Sequence, residues 1–259
     1  MTLSVQDLEF KYGKKQVLED INISIGKGRV VSILGPNGVG KTTLLKCICR
    51  IFSPSSGRIM VDETDVTSIN RKELAKIISY VPQRAIPSYN TVFDSVLIGR
   101  KPHTEWALTK EDLKKVEDAL KLFGMNHLSL KYLDEISGGE LQKVQIARAY
   151  VQEAEIMILD EPTNNLDISN QHNILHLLSE LTRKKNVTAI MTMHDLNLAL
   201  SYSDEFIFVK NGQIVSFGGK ESVTPEVIKD VFNIDCEIIE RNGTMYMLPF
   251  KDQSFFETL

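Results

Sequence analysis

Gly35-Pro36-Asn37-Gly38-Val39-Gly40-Lys41-Thr42-Thr43 is the stretch that decides the fold. Holding a nucleoside triphosphate means surrounding several negative charges with donors that cannot move away. A glycine-rich turn lets successive backbone N–H groups point at the phosphates, where a Cβ would block the approach. Lys41 supplies a cation to the outer phosphates, and the Thr42 hydroxyl can ligate Mg²⁺. Upstream, Arg29-Val-Val-Ser-Ile-Leu34 reads as a buried strand. Downstream, Thr43 to Arg50 can form a helix whose N-terminus adds its dipole to the anion site. Strand, loop and helix in that order are the context a P-loop requires. The motif by itself leaves the chemistry open, because kinases, GTPases and motor ATPases share it.

Working outward, strands are expected over Leu3 to Phe10, Val17 to Ile25, Arg58 to Asp62 and Ile77 to Val81, with Gln83 just beyond the last. From residue 84 to about 150 the pattern changes. Thr109 caps a helix with acidic Asp112 at its third position, Leu113, Val116, Leu120 and Phe123 recur at helical spacing, and Gly124 closes the element. Strand character returns at Glu155 to Leu159 and Val187 to Thr192, so strands alternate with helices and a mostly parallel sheet covered on both faces is expected. Asn211-Gly212 joins a hairpin, Thr224-Pro225 starts a helix, and Asn242-Gly243 marks a second hairpin turn.

The chain has 259 residues, 42% of them hydrophobic, and a net charge of −4. That charge gives no general pull toward nucleic acid or anionic lipid, so no nucleic-acid partner is expected. No apolar run approaches the ~18 residues that span a bilayer. The first residues lack an apolar signal region, and Cys47, Cys49 and Cys236 do not form a disulfide framework, which together suggest the cytoplasm. His172 and His176 stand four apart, but Asn173 lies where a zinc protease would carry glutamate, so both read as surface residues. Met191 and Met193 read as packing, and residues 110–118 as a solvated helix face.

A second constellation follows. Ile156-Met-Ile-Leu-Asp160-Glu161 runs four apolar residues into two acids at a strand end, where open α/β sheets bind ligands. Asp160 can hold Mg²⁺ through water, and Glu161 can orient or deprotonate a water attacking the γ-phosphate. Ser137-Gly138-Gly139-Glu140 opens a helix as a second anion site in a chain with one P-loop. That excess suggests a nucleotide held by another copy of the chain.

Taken together, these motifs resemble the ATP-binding subunit of an ABC transporter, over roughly residues 3 to 235. Residues 35–43 are similar to its Walker A and residues 156–161 to its Walker B. Gln83 stands where its Q-loop glutamine sits, residues 136–140 (ISGGE) resemble the LSGGQ signature, Asn164-Asn-Leu-Asp167 the D-loop, and His194 the switch histidine. Tyr12 matches the aromatic that stacks on adenine. The resemblance implies an α/β fold: a RecA-like P-loop core with an N-terminal antiparallel β subdomain and a helical insertion. It divides one domain of 1–259 into a core (1–83 and 151–220), a helical signature subdomain (84–150) and a short extension (221–259). It also implies two copies paired head to tail around two ATP molecules, each Walker A facing the other's Ser137-Gly138-Gly139. Glu161 would be the general base or the group that orients the water, His194 would hold the γ-phosphate, Gln83 would sense it, and Thr42, Gln83 and Asp160 would surround Mg²⁺.

Ile136 and Glu140 depart from the commonest signature. Isoleucine can still pack under the loop, and the glutamate should weaken phosphate binding slightly if it points inward. Thr91 to His103, together with residues 160–171 and His194-Asp-Leu-Asn-Leu-Ala199, resembles importers of iron–siderophore, haem and cobalamin. Such an ATPase would sit on the inner face of the cell membrane, against permease subunits that work with an extracytoplasmic substrate-binding protein. The competing readings are a soluble ATPase of the same class without a permease, for example in iron–sulfur assembly, and a regulatory protein that does not hydrolyse. The presence of Glu161 and His194 speaks against the latter.

Overall fold

The computed structural model describes residues 2–84, 89–164 and 166–250. Leu3–Tyr12 (β1) and Lys15–Ile25 (β2) pair antiparallel, turning at Gly13 with φ +59°. Val30–Leu34 (β3) then runs into the P-loop and Lys41–Ile48 (α1). Ser56–Val61 (β4) returns to pair with β1, and Thr64–Asp65 (β5) pairs with β4, completing a four-stranded antiparallel sheet of order β2-β1-β4-β5. Arg71–Ile77 (α2) and Ile78–Val81 (β6) follow.

Helices then dominate: Val92–Leu97 (α3), a 3-10 turn at Ile98–His103, Lys110–Leu122 (α4) and Gly138–Val151 (α5). Strands and helices alternate again from Ile156–Leu159 (β7) through Ile168–Lys185 (α6), Thr188–Thr192 (β8) and Leu196–Tyr202 (α7) to Glu205–Lys210 (β9). Gln213–Gly218 (β10) pairs back on β9 across Asn211 and Gly212, both at positive φ as a tight hairpin requires. Pro225–Phe232 (α8) and the hairpin Cys236–Arg241 (β11) with Thr244–Pro249 (β12) end the described chain.

The main sheet has the order β10-β9-β3-β8-β7-β6, with every pairing parallel except β9–β10. Its inner strands β3, β8 and β7 are buried on both faces, and the strands feed two cores by simple alternation. Val30, Leu34, Met157, Leu159, Met191, Phe206 and Phe208 join α3 to α8 on one face. Val31, Ile33, Ile156, Ile158, Ile190, Ile207 and Val209 join α1 and the four-stranded sheet on the other. Met191 and Met193 are core residues, as expected.

The 110–118 face needs one correction. Thr109 and Asp112 form the expected capping box, but Leu113 is 38% exposed, and Asp112 occupies the buried position instead. The reason is Arg100, itself buried, whose Nε donates to Asp112 Oδ1 at 2.8 Å and whose Nη1 donates to Val151 O and Glu153 Oε2. The Thr109 backbone N–H, then the Arg100 guanidinium and the Thr109 hydroxyl, hold the Asp112 carboxyl down at about 2. His103 Nε2 lies 2.8 Å from Gln152 O. The Gly99-to-His103 stretch is therefore a staple joining the starts of helical elements to the end of α5.

Candidate functional site: a phosphate cradle and a carboxylate hub

Gly35 to Thr43 wraps from the end of β3 into α1 as the sequence predicts. Gly35 has φ +153°, and a Cβ there would lie 2.2 Å from Val209 O; one on Gly40, at φ +108°, would lie 2.8 Å from Leu18 Cδ2. Neither position admits another residue without moving backbone or core. Asn70, Thr91, Thr109, Ser137, Asp167, Asp195 and Thr224 cap the other α-helices of the described chain with side-chain acceptors. α1 alone starts without one. Its first N–H groups are donors that a phosphate fits.

Lys41 is buried, and its Nζ donates to Gly35 O at 2.6 Å and Pro36 O at 2.9 Å. Burial lowers its pKa, opposed by the charges of Glu161 and Asp160. A cation folded onto its own loop in this way is poised to turn outward to an anion. Tyr12, Lys15, Asn37, Gly38, Lys41 and Glu161 line a cavity of about 250 Å³ here. Tyr12 is half exposed at its rim, backed edge-on by Phe10 and Phe52. Val39 and Pro36 are partly buried beside it.

Asp160 and Glu161 emerge from the carboxyl end of β7. Thr42 Oγ1 donates to Asp160 Oδ1 at 2.9 Å, so two of the three residues expected around Mg²⁺ are adjacent, while the third, Gln83, bonds Glu161. Thr192 Oγ1, at the end of β8, donates to the same oxygen at 2.8 Å and accepts from Glu161 N at 2.8 Å. Tyr80 OH reaches Asp160 Oδ2 at 3.5 Å; burial and the Asp160 charge raise its pKa. Glu161 itself takes the left-handed conformation at φ +51°, uncommon for a non-glycine residue. Three side chains converge on its carboxylate: Gln83 Nε2 and Asn164 Nδ2 donate to Oε2 at 2.5 and 2.8 Å, and His194 Nε2 lies 2.5 Å from Oε1.

Gln83, Glu161 and His194 are thus brought together with the P-loop, as the motifs imply. The Ser137 group is not: none of Ser137, Gly138, Gly139 and Glu140 lines the P-loop cavity. Ser137 and Gly138 are exposed, and Ile136 packs against the larger core. Glu140 folds back, its Oε2 accepting from Ser137 N and Ser137 Oγ, each at 2.8 Å; these bonds lower its pKa. Gly139 approaches Leu166, and Asp167 caps α6 through Asn170. Asn165 lies outside the described residues.

Sequence reasoning missed Thr192 as a partner of both acids, and it quoted Asn164 only as part of a loop. Thr192 leaves a faint signal, a polar residue closing a strand after the apolar run Ala189-Ile-Met191. Cys47 is buried and pushed up to about 12, Cys49 is also raised by burial, and His172 bonds Tyr202 OH through Nδ1 at 2.8 Å. Among the described residues there is no cluster of metal-binding side chains, and no helix is long and apolar enough to cross a membrane.

Comparison with known proteins places this geometry. The family model described as ABC transporter matches residues 18–164. The ABC transporter ATP-binding protein MJ0089 of Methanocaldococcus jannaschii is 48% identical over 249 residues, covering 96% of this chain and 98% of that protein. The ferric enterobactin transport ATP-binding protein FepC of Escherichia coli is 40% identical, covering 94% and 92%. A solved chain from an inward-facing ABC transporter, described as of metal-chelate type, superposes with a TM-score of 0.83 at 28% identity, covering 98% of both. The match thus extends over nearly the whole length in sequence and in fold, and this chain belongs to the ABC transporter family as a subunit that binds and hydrolyses ATP.

Proposed function

We infer that this chain energises a membrane importer, with iron–siderophore complexes and related metal chelates as the cargo class. The observation that carries the catalytic part is the Glu161 carboxylate, held by Gln83, Asn164 and His194 directly behind Lys41 and Thr42. In this reading Glu161 takes the proton of the attacking water, and His194 and Gln83 exchange their contacts on Glu161 for contacts with the nucleotide. Lys41 turns from the Gly35 and Pro36 carbonyls to the outer phosphates, and Tyr12 stacks on the base. Mg²⁺, when bound, would neutralise charge on the phosphates, and the adjacent Thr42 hydroxyl and Asp160 carboxylate are the donors that fit it, with Gln83 joining them if it leaves Glu161.

The separation of Ser137-Gly138-Gly139 from the P-loop cavity supports a site completed by a second copy, and solved cassettes of this family form dimers. The segment 84–150 acts as a helical subdomain that meets the permease, with 1–83 and 151–220 as the nucleotide-binding core and 221–259 as an extension. Half-exposed Ile98 and Leu108 line a shallow depression, and Trp106 nearby in sequence is 97% exposed, an apolar surface suited to an integral-membrane partner. The chain then works on the inner face of the membrane, and the extracytoplasmic substrate-binding protein acts on it only through the permease.

FepC, a ferric enterobactin transport protein, supports the cargo class. The test is to purify the tagged full chain from gently solubilised membranes of its own organism. A stoichiometric polytopic membrane protein is expected. Recovery only in the soluble fraction with cytosolic partners would overturn the transport reading and leave the ATPase standing.

A further inference from the structure

We propose that Asn164 is a positioning residue for ATP hydrolysis, the donor that keeps the Glu161 carboxylate aimed when its other partners leave. The proposal rests on Glu161 being the base, and it adds what holds that base during turnover. Of the three groups on the carboxylate, Gln83 and His194 have a second task toward the nucleotide. Asn164 has none: among the described residues its Nδ2 donates only to Glu161 Oε2, at 2.8 Å.

The local geometry makes Asn164 a permanent companion. Asn164 N donates to Glu161 O at 3.1 Å, so the segment from Glu161 to Asn164 is a closed turn that keeps the two side chains beside each other. At the other end, Glu161 N is bound to Thr192 Oγ1 and its φ is +51°, which fixes the direction in which the side chain leaves the backbone. A carboxylate anchored at its backbone alone could still rotate about three side-chain torsions. The Asn164 amide removes that freedom, and orientation of a base toward its water is worth large factors in rate. A donor to Oε2 also leaves Oε1 as the oxygen facing the water once His194 moves away.

The test compares Asn164→Ala with Asn164→Asp in Mg-ATP turnover of the full chain, with Glu161→Gln alongside. Aspartate keeps the shape of asparagine and its fitness for a turn, but replaces the donor with a second carboxylate against Glu161. A purely structural role for Asn164 would leave Asn164→Asp nearly as active as wild type. The positioning role predicts the reverse order. Asn164→Ala should lower kcat about tenfold. Asn164→Asp should lower it further, and both should keep the KM for ATP within about twofold of wild type. Asn164→Ala at wild-type kcat, or Asn164→Asp more active than Asn164→Ala, overturns the proposal. If Glu161→Gln is inactive in that case, the base assignment stands and only the positioning role is lost. Full turnover in Glu161→Gln overturns both.

Discussion

Gln83 Nε2 donates to Glu161 Oε2 across 78 residues of chain, tying together the ends of the neighbouring parallel strands β6 and β7. The contact is possible because both residues follow directly on strand ends in register, Val81 beside Leu159. It makes the segment after β6 sensitive to what happens at the base, since Gln83 must let go of Glu161 to reach a bound nucleotide. A partner resting on that segment would feel the exchange.

Glu161→Gln should leave ATP binding intact and slow hydrolysis by about 10² or more, as expected on losing a positioned base. The amide oxygen can still accept from Gln83 and Asn164, which share one oxygen of Glu161, so the site should keep its shape while losing the basic oxygen. Nucleotide titration and steady-state turnover on the same preparation separate the two effects. Near-wild-type turnover would remove Glu161 from the mechanism.

Lys41→Ala should lose affinity for ATP by about tenfold or more, because it removes the cation that turns from the Gly35 and Pro36 carbonyls to the phosphates. The P-loop itself should persist, since Gly35 and Gly40 set its path and Lys41 only bridges two of its carbonyls. Equilibrium binding of a fluorescent ATP analogue reads this directly, and unchanged affinity would contradict the phosphate-cradle assignment.

Glu140→Gln should tighten the ATP-dependent dimer about two- to fivefold. Glutamine serves a capping box as well as glutamate, so α5 keeps its start. What disappears is a charge that holds the Ser137 hydroxyl at 2.8 Å, next to where a partner's phosphate would bind. Sedimentation with ATP in a Glu161→Gln background measures the dimer constant. A weaker dimer would show that the carboxylate assists the signature instead.

Asp112→Asn should destabilise the chain by about 2 kcal/mol, because it removes the buried one of the two carboxylates on Arg100 and leaves only Glu153 to balance its charge. The pH dependence has a definite sign. The carboxyl sits at about 2, below its ordinary 3.8, so its contribution is complete above about pH 4 and is lost as pH falls toward 2. Thermal unfolding between pH 2 and 5 should show wild type losing its advantage over Asp112→Asn in that window. A constant difference would mean that the pair does not titrate with folding.

What could be read from sequence was governed by local rules. The P-loop glycines, the Asn211-Gly212 and Asn242-Gly243 turns, the helix caps and the apolar strands ending in Asp160-Glu161 each depend on conformations that few residue types allow. The ordered motifs by themselves carry the resemblance to the family. Tertiary structure decided the rest. Parallel strands are joined by long crossovers, so local pattern leaves open which strand lies beside which; the order β10-β9-β3-β8-β7-β6 came only from packing. That order carries Gln83, Glu161, Thr192 and His194 to one end of the sheet, and the packing of the helical segment buries Asp112 against Arg100. A charged residue at a solvated helical position and one paired in the interior look alike in sequence, because the partner that distinguishes them is set by the fold.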